Sequence, residues 1–123
     1  MRGECHCGAV AWEYDGVPTH LTACNCSICR RHAALWAYGT ARTVRIIAAP
    51  NATLAYAQGD RTLAIHTCLT CGCTSHWVSL EVTGKGEADD HRLAVNARLA
   101  DPADIAGIRV RHLDGADSWD YFD

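Results

Sequence analysis

The sequence has no long apolar run, no long basic run and no linker rich in glycine, serine or proline. A membrane-spanning helix needs about 20 apolar residues, so none is expected here. The N-terminal MRGECHCGAV reaches cysteine and glycine before it builds the apolar core of a secretory signal, and we therefore expect a cytoplasmic protein. The longest run of basic residues is Arg30-Arg31, and the formal net charge is -3. Both observations argue against nucleic acid and anionic membranes as partners.

The absence of a linker and the chain length together indicate one domain. The 123 residues match the usual size of a domain with a single core, so we expect residues 1–123 to fold as one unit. A hydrophobic fraction of 49% and a charged fraction of 20% are ordinary for a folded protein, which excludes a disordered or low-complexity chain. No feature of the sequence indicates an oligomeric state.

Apolar and polar residues alternate over short segments, and this period of two is typical of β-strands. The pattern predicts nine strands, at residues 10–14, 21–24, 35–38, 44–47, 54–57, 63–67, 74–80, 92–97 and 108–113. One clear helical turn follows them, where Asp101 suits the N-cap, Pro102 the first helical position and Gly107 a left-handed stop. The sequence therefore predicts a mainly β fold with one or two short helical turns.

Eight cysteines fall into three groups with the spacing of metal ligands. The groups are Cys5 and Cys7; Cys24, Cys26 and Cys29; and Cys68, Cys71 and Cys73. Residues two apart in an extended segment point to one side, and a C-x-x-C pair presents two sulfurs around a tight turn. A reducing compartment keeps thiols free, so metal binding is favoured over disulfides, which stay as the alternative.

Cys5 and Cys7 can combine with Cys68 and Cys71 to give four thiolates, which complete a tetrahedral zinc site. Such a site has no position left for a substrate. Its expected role is folding, because structural zinc contributes on the order of 10 kcal/mol or more to small zinc-binding domains.

Only three cysteines lie in the second group, the stretch CNCSICRR at residues 24–31. If Asn25 or Ser27 caps a short helix through Ala33, all three sulfurs can face one ion. Three ligands leave one tetrahedral vertex open, which is typical of catalytic zinc. The alternatives are an easily oxidised set of thiols and a second structural site.

Other residues of the chain could provide the fourth ligand to an ion held by these three cysteines. Cys73 is one, and its alternative role is a small buried hydrophobic residue or a reactive thiol. The other candidates are the histidines at positions 20, 32, 66 and 76. A lone histidine on an alternating strand is more often a hydrogen-bonded strand residue than a metal ligand.

Five segments together resemble the glutathione-dependent formaldehyde-activating enzyme family, which includes centromere protein V. They are GECHCGAV at 3–10, CNCSICRR at 24–31, CLTCG at 68–72, VNARL at 95–99 and HLDG at 112–115. The resemblance implies a zinc-stapled β-tent of small antiparallel sheets. It also implies that Cys5, Cys7, Cys68 and Cys71 hold a structural Zn²⁺, and that Cys24, Cys26 and Cys29 hold a catalytic, labile one.

The reaction that the resemblance implies is addition of the thiol of glutathione to formaldehyde, the work of a carbon–sulfur lyase or synthase. Arg30 and Arg31 are candidates for attracting the carboxylates of glutathione, or else lie on a solvated helix face. The four tryptophans are interpreted as core or rim residues rather than as a substrate box. Asn25 stands where the family usually has histidine.

Two other functions are consistent with the cysteines. One is a non-catalytic zinc module that binds a protein partner, although the chain lacks a basic tail and carries a net charge of -3. The other is a thiol carrier or redox sensor that exchanges Cys73 and the second group between zinc, thiol and disulfide forms.

Overall fold

Ten strands and two short helices make up the part of the chain that the computed structural model describes, residues 1–81 and 91–123. The strands are β1 (Arg2–Glu4), β2 (Val10–Tyr14), β3 (Leu21–Cys24), β4 (Trp36–Thr40), β5 (Val44–Ala48), β6 (Thr53–Tyr56), β7 (Leu63–Cys68), β8 (Thr74–Ser79), β9 (Arg92–Asn96) and β10 (Val110–Leu113). The helices are α1 (Cys29–His32) and α2 (Pro102–Ile105), and a 3-10 turn spans Ala97–Leu99. The prediction of a mainly β fold is confirmed.

Strand β1 is the one that the alternating pattern missed. Its sequence Arg2-Gly3-Glu4 has no apolar side chain, so it carries no hydrophobic signal. Gly3 nevertheless pairs with Trp12 of β2, and a Cβ atom at Gly3 would overlap the indole ring of that tryptophan. The strand forms because glycine allows the backbone to lie directly against a fully buried ring.

The strands form two sheets in the described part of the chain. One has the order β1-β2-β5 and the other the order β10-β3-β4-β9-β8-β7-β6. Neighbouring strands are antiparallel except β10 and β3, which are parallel because the chain returns through α2 before it enters β10. The implied antiparallel arrangement thus needs correction at this one pair, which brings the segment after β10 beside Cys24 at the end of β3.

The two faces of the larger sheet have different tasks. One face packs on the smaller sheet through a core that includes Trp12, Leu21 and Val95. Side chains alternate along a strand, so Trp36 lies on the opposite face of β4 from Ala37. Ala37 belongs to the first core, whereas Trp36 packs with Trp77 in a second hydrophobic cluster. This second face carries the pocket described below.

Helix α2 begins as predicted and ends differently. The Asp101 side chain accepts a hydrogen bond of 2.9 Å from the N–H of Ala103, and Pro102 occupies the first turn. The expected left-handed stop at Gly107 is wrong, because the helix ends at Ala106 in right-handed geometry and Gly107 does not have a positive φ.

Helix α1 is also present, but without the predicted cap. Its N-cap is Ile28, which offers no side-chain hydrogen bond, so capping by Asn25 or Ser27 is not observed. Ala33 ends the helix with a φ of 51°.

In residues 1–81 and 91–123, no helix combines the length and apolar character that crossing a membrane requires.

Candidate metal centres and the adjoining pocket

The structure brings Cys5, Cys7, Cys68 and Cys71 together, with their sulfurs within 4.8 Å of one another. The sulfur of Cys7 lies 3.7 Å from that of Cys5 and 3.6 Å from that of Cys68. A tetrahedral zinc with Zn–S bonds of about 2.3 Å separates its sulfurs by about 3.8 Å, so this spacing fits the ion. All eight cysteines are free thiols, in contrast to the disulfide alternative.

The two loops that supply these four sulfurs are built alike. Each ends in a glycine with positive φ, 82° at Gly8 and 78° at Gly72. The N–H of Gly8 donates to the carbonyl of Cys5 at 3.0 Å, and that of Gly72 donates to the carbonyl of Cys68 at 2.9 Å. Glycine adopts this conformation without a steric penalty, which explains why it follows each cysteine pair.

Backbone N–H groups surround the sulfurs of this four-cysteine cluster. The N–H of Val10 donates to the Cys5 sulfur at 3.3 Å. Hydrogen bonds from the N–H groups of Cys73 and Cys7 lower the pKa of Cys71 to about 5. Cys5 and Cys68 are buried in a small hydrophobic core with Val10. Negative charge is thus favoured at Cys71, and the cluster is integral to the packing of the fold.

Cys24, Cys26 and Cys29 form a second cluster, the three-cysteine cluster, with sulfurs within 4.8 Å of one another. Cys24 ends β3 and Cys29 begins α1, so the turn between these elements folds the three side chains to one side. No histidine or fourth cysteine joins them in residues 1–81 and 91–123.

Hydrogen bonds also reach the sulfurs of the three-cysteine cluster. The N–H of Cys29 donates to the Cys26 sulfur at 3.3 Å, and the indole N–H of Trp36 donates to the Cys29 sulfur at 3.4 Å. A hydrogen bond from Cys29 and the N–H groups of Cys26 and Gly115 lower the pKa of Cys24 to about 5. That same bond to Cys24, together with burial, raises the pKa of Cys29. Negative charge therefore collects first at Cys24.

Gly115, in the turn after β10, lies against this cluster. An ideal Cβ atom on Gly115 would sit 2.5 Å from the Cys24 sulfur, so a larger residue does not fit without movement. Asn25 fixes the turn: its side-chain amide donates to Asp114 at 3.0 Å and accepts from the N–H of Ala116 at 2.9 Å. Asn25 therefore holds the turn that packs on a cysteine rather than capping α1.

The proposed rivals for the fourth vertex lie elsewhere. Cys73 packs beside the four-cysteine cluster. His32 hydrogen-bonds Thr74 at 2.7 Å, and the rings of His66 and His76 stack with centroids 4.4 Å apart. His20 contacts Tyr121. None of these side chains joins the three-cysteine cluster, whose residues border open space instead.

That open space is a cavity of about 650 Å³ on the second face of the larger sheet. Its lining includes the three cysteines and six aromatic residues, namely Trp36, Tyr38, Tyr56, Trp77, Trp119 and Tyr121. The interpretation of the tryptophans as core or rim agrees with buried Trp12, Trp36 and Trp77 and with exposed Trp119, although the last three also line the cavity. Sequence reasoning missed the tyrosines, although period two places Tyr38 on the same face as Trp36.

Two arginines reach this region, and only one of them was expected. Arg92 lines the cavity and its guanidinium lies 5.9 Å from the centroid of the Trp77 ring. Arg30 lines a neighbouring hollow of about 390 Å³ that shares Trp119 with the main cavity. The Arg31 guanidinium instead donates to the carbonyl of Ser27 at 2.6 Å, so it is held by the turn that precedes α1.

The fold and the site define a class: a small mainly β protein with two cysteine clusters suited to metal ions, one built into the core and one open to a cavity. Residues 1–100 match the family model described as glutathione-dependent formaldehyde-activating enzyme. The chain belongs to this family. Its structure is similar to the crystal structure of a Rhodobacter sphaeroides protein, a structural genomics target, with a TM-score of 0.66 and 27% identity over 89% of this chain and 99% of that one. A search of curated proteins finds no significant match.

Proposed function

We propose that the protein is a zinc-dependent carbon–sulfur lyase or synthase that adds the thiol of glutathione to formaldehyde, giving S-(hydroxymethyl)glutathione. The observation that carries this proposal is that the three-cysteine cluster, with no fourth cysteine or histidine among the described residues, lines an aromatic cavity. The volume of about 650 Å³ lies within the usual range of small-molecule sites, about 300–1,000 Å³. Membership of the family supports glutathione and formaldehyde as the substrates.

Cys24, Cys26 and Cys29 would hold the zinc of this site, and the chemistry of three thiolate donors fits that ion. Zinc bound there would supply the positive charge that keeps an incoming thiol deprotonated and nucleophilic. The N–H groups of Cys29 and Trp36 steady two of the protein sulfurs, so these sulfurs stay in place while a substrate thiol enters.

Glutathione carries its thiol in the middle and a carboxylate at each end, and the cavity offers cations on two sides of the cluster. Arg92 lies in the main cavity and Arg30 in the neighbouring hollow. We expect each guanidinium to bind one carboxylate, since arginine pairs with carboxylates through two parallel hydrogen bonds. The four-cysteine cluster would hold a second, structural zinc that takes no part in the reaction.

The experiment that tests this function replaces the metal of the three-cysteine cluster with Co²⁺ and follows its thiolate absorption bands as glutathione is added. We expect a spectral change at millimolar thiol and two metal ions per chain in gently purified protein. A mild chelator should remove one ion and abolish catalysed exchange between formaldehyde and its glutathione adduct, with the fold intact.

Cys73→Ser serves as the matched control, because it alters a cysteine outside both ligand sets and should leave the cobalt response unchanged. Absence of any spectral change at millimolar glutathione would rule out the enzyme and leave a non-catalytic zinc module. Peroxide-dependent disulfide formation at the three-cysteine cluster, with no adduct formation, would instead favour a redox sensor.

A further inference from the structure

A chain of side-chain hydroxyls runs from the cavity towards the protein surface. The hydroxyl of Tyr121 lies 3.0 Å from that of Thr22 and 3.4 Å from Nε2 of His20. His20 Nδ1 lies 3.2 Å from the hydroxyl of exposed Thr19. Thr22 is fully buried whereas Tyr121 and His20 are half-buried, so the contacts lead stepwise from the interior to solvent.

Strand register places this chain beside the three-cysteine cluster. Thr22 precedes Cys24 by two residues in β3, so both side chains lie on one face of the sheet. On one side of β3, Thr22 pairs with Trp36 of β4. Tyr38 follows Trp36 by two residues in β4, so its side chain lies on the same face of the sheet. On the other side, Tyr121 pairs with Leu113 of β10, next to β3. The two tyrosines therefore flank Thr22 and line the same cavity as the cysteines.

Tyr38 is the inner end of the chain and is suited to donating a hydrogen bond. Burial raises its pKa above the usual value for tyrosine, and a hydrogen bond from Thr22 opposes this rise only in part. The neighbouring Tyr121 raises the pKa of Tyr38 further. The phenol thus keeps its proton at neutral pH and can donate a hydrogen bond to an oxygen in the cavity.

We propose that Tyr38 binds the aldehyde oxygen, and that Thr22 and Tyr121 connect it to His20 as the route by which this oxygen receives its proton. The inference rests on the proposed function and adds the residues that handle the oxygen. Tyr38 is a catalytic residue in this scheme, and Thr22 is a positioning residue.

The chemical step balances without an oxidant or reductant. A lone pair of the substrate thiolate forms the C–S bond, and the π electrons of the carbonyl move onto the oxygen. The proton of the Tyr38 hydroxyl passes to that oxygen, and Tyr38 regains a proton through Thr22, Tyr121 and His20 from solvent. The proton lost earlier by the thiol returns to solvent, so none is gained or lost overall.

The test combines turnover with binding of stable ligands. Exchange NMR on glutathione and ¹³C-formaldehyde should show kcat reduced roughly 100-fold in Tyr38→Phe, with KM for glutathione changed by less than about 3-fold, since a positioned proton donor contributes on the order of 10²–10⁴. Thr22→Val should reduce kcat by about 10-fold, and Thr22→Ser should restore it. Calorimetry should show wild type binding S-(2-hydroxyethyl)glutathione about 5-fold more tightly than S-propylglutathione, a preference that Tyr38→Phe removes.

Thr53→Val is the matched control, because it deletes another strand hydroxyl that contacts a histidine, 2.7 Å from Nδ1 of His66, and lies outside the cavity lining. We expect it to keep wild-type kcat and the ligand preference. Equal binding of the two ligands by wild type, or unchanged kcat in Tyr38→Phe, would overturn the role of the hydroxyl chain while leaving the proposed function standing. Failure of wild type to bind glutathione or either ligand would overturn both.

Discussion

The two cysteine clusters differ in what they connect. In the four-cysteine cluster, Cys7 and Cys68 are 61 residues apart, and their sulfurs meet between the start of the chain and the end of β7. In the three-cysteine cluster all three cysteines come from one short stretch, residues 24–29. An ion that closes a long loop restricts the unfolded chain far more than one that closes a short loop. Stability should therefore depend on the first cluster and chemistry on the second.

Their surroundings differ in the same sense. Cys5 and Cys68 are buried with Val10 in a hydrophobic cluster, so their sulfurs have little contact with solvent. All three sulfur-bearing residues of the other cluster are partly exposed and border the cavity. Burial of Cys5 and Cys68 restricts the geometry of the first cluster, whereas the partly exposed second cluster is accessible to small molecules from the cavity.

The largest expected effect distinguishes the clusters by stability. We expect Cys68→Ser to unfold the protein or lower its Tm drastically, since structural zinc contributes on the order of 10 kcal/mol and a domain is stable by only about 5–15 kcal/mol. Cys24→Ser should keep the fold and lose one metal ion and the activity. Circular dichroism on heating, with metal counts by mass spectrometry, measures both. Similar Tm losses in the two variants would show that the clusters do not divide these tasks.

A smaller effect is expected from crowding the three-cysteine cluster. Gly115→Ala places a methyl group against the Cys24 sulfur and should weaken metal binding there by about 10–100-fold, the usual cost of disturbing the surroundings of a metal ligand. Gly107→Ala is the control, because nothing lies within 4 Å of its Cβ position. Competition with a coloured chelator measures the affinity. Unchanged affinity in Gly115→Ala would mean that the turn after β10 does not constrain the cluster.

The third prediction concerns the acid sensitivity of the hairpin formed by β7 and β8. Cys68 is the last residue of β7, and Cys71 lies in the turn before β8. Burial, with a smaller effect from the neighbouring His66, lowers the pKa of His76 to about 3. The unfolded chain binds a proton at this histidine below about pH 6.5 and the folded chain does not, so folding stability falls as the pH drops from about 6.5 towards 3.

His76→Phe removes this source of acid sensitivity. The stability of wild type should decrease more steeply than that of the variant, by up to about 1.4 kcal/mol per pH unit, in urea unfolding between pH 6.5 and 4. Above pH 7 the slopes should coincide. Parallel slopes over the whole range would show that His76 titrates alike in the folded and unfolded chains.

Local patterns predicted most of the secondary structure because period two depends only on neighbouring residues. They located nine strands and the Asp101 cap of α2, yet they missed β1, whose only buried residue is a glycine held by contact with Trp12. They also misjudged the cap of α1, since Asn25 has partners from positions 114 and 116, far away in the chain. A local rule does not detect a partner that the tertiary structure supplies.

The sequence by itself determined which cysteines lie together within each short stretch, because side chains two or three residues apart stay close in space. Only the tertiary structure decided that Cys73 stays with the four-cysteine cluster and leaves the other vertex open. It also decided that Tyr38, Tyr121 and Arg92, from three separate strands or turns, line one cavity. The physical reason is that sheet register, which brings distant segments side by side, is set by pairing across the whole fold and not by neighbouring residues.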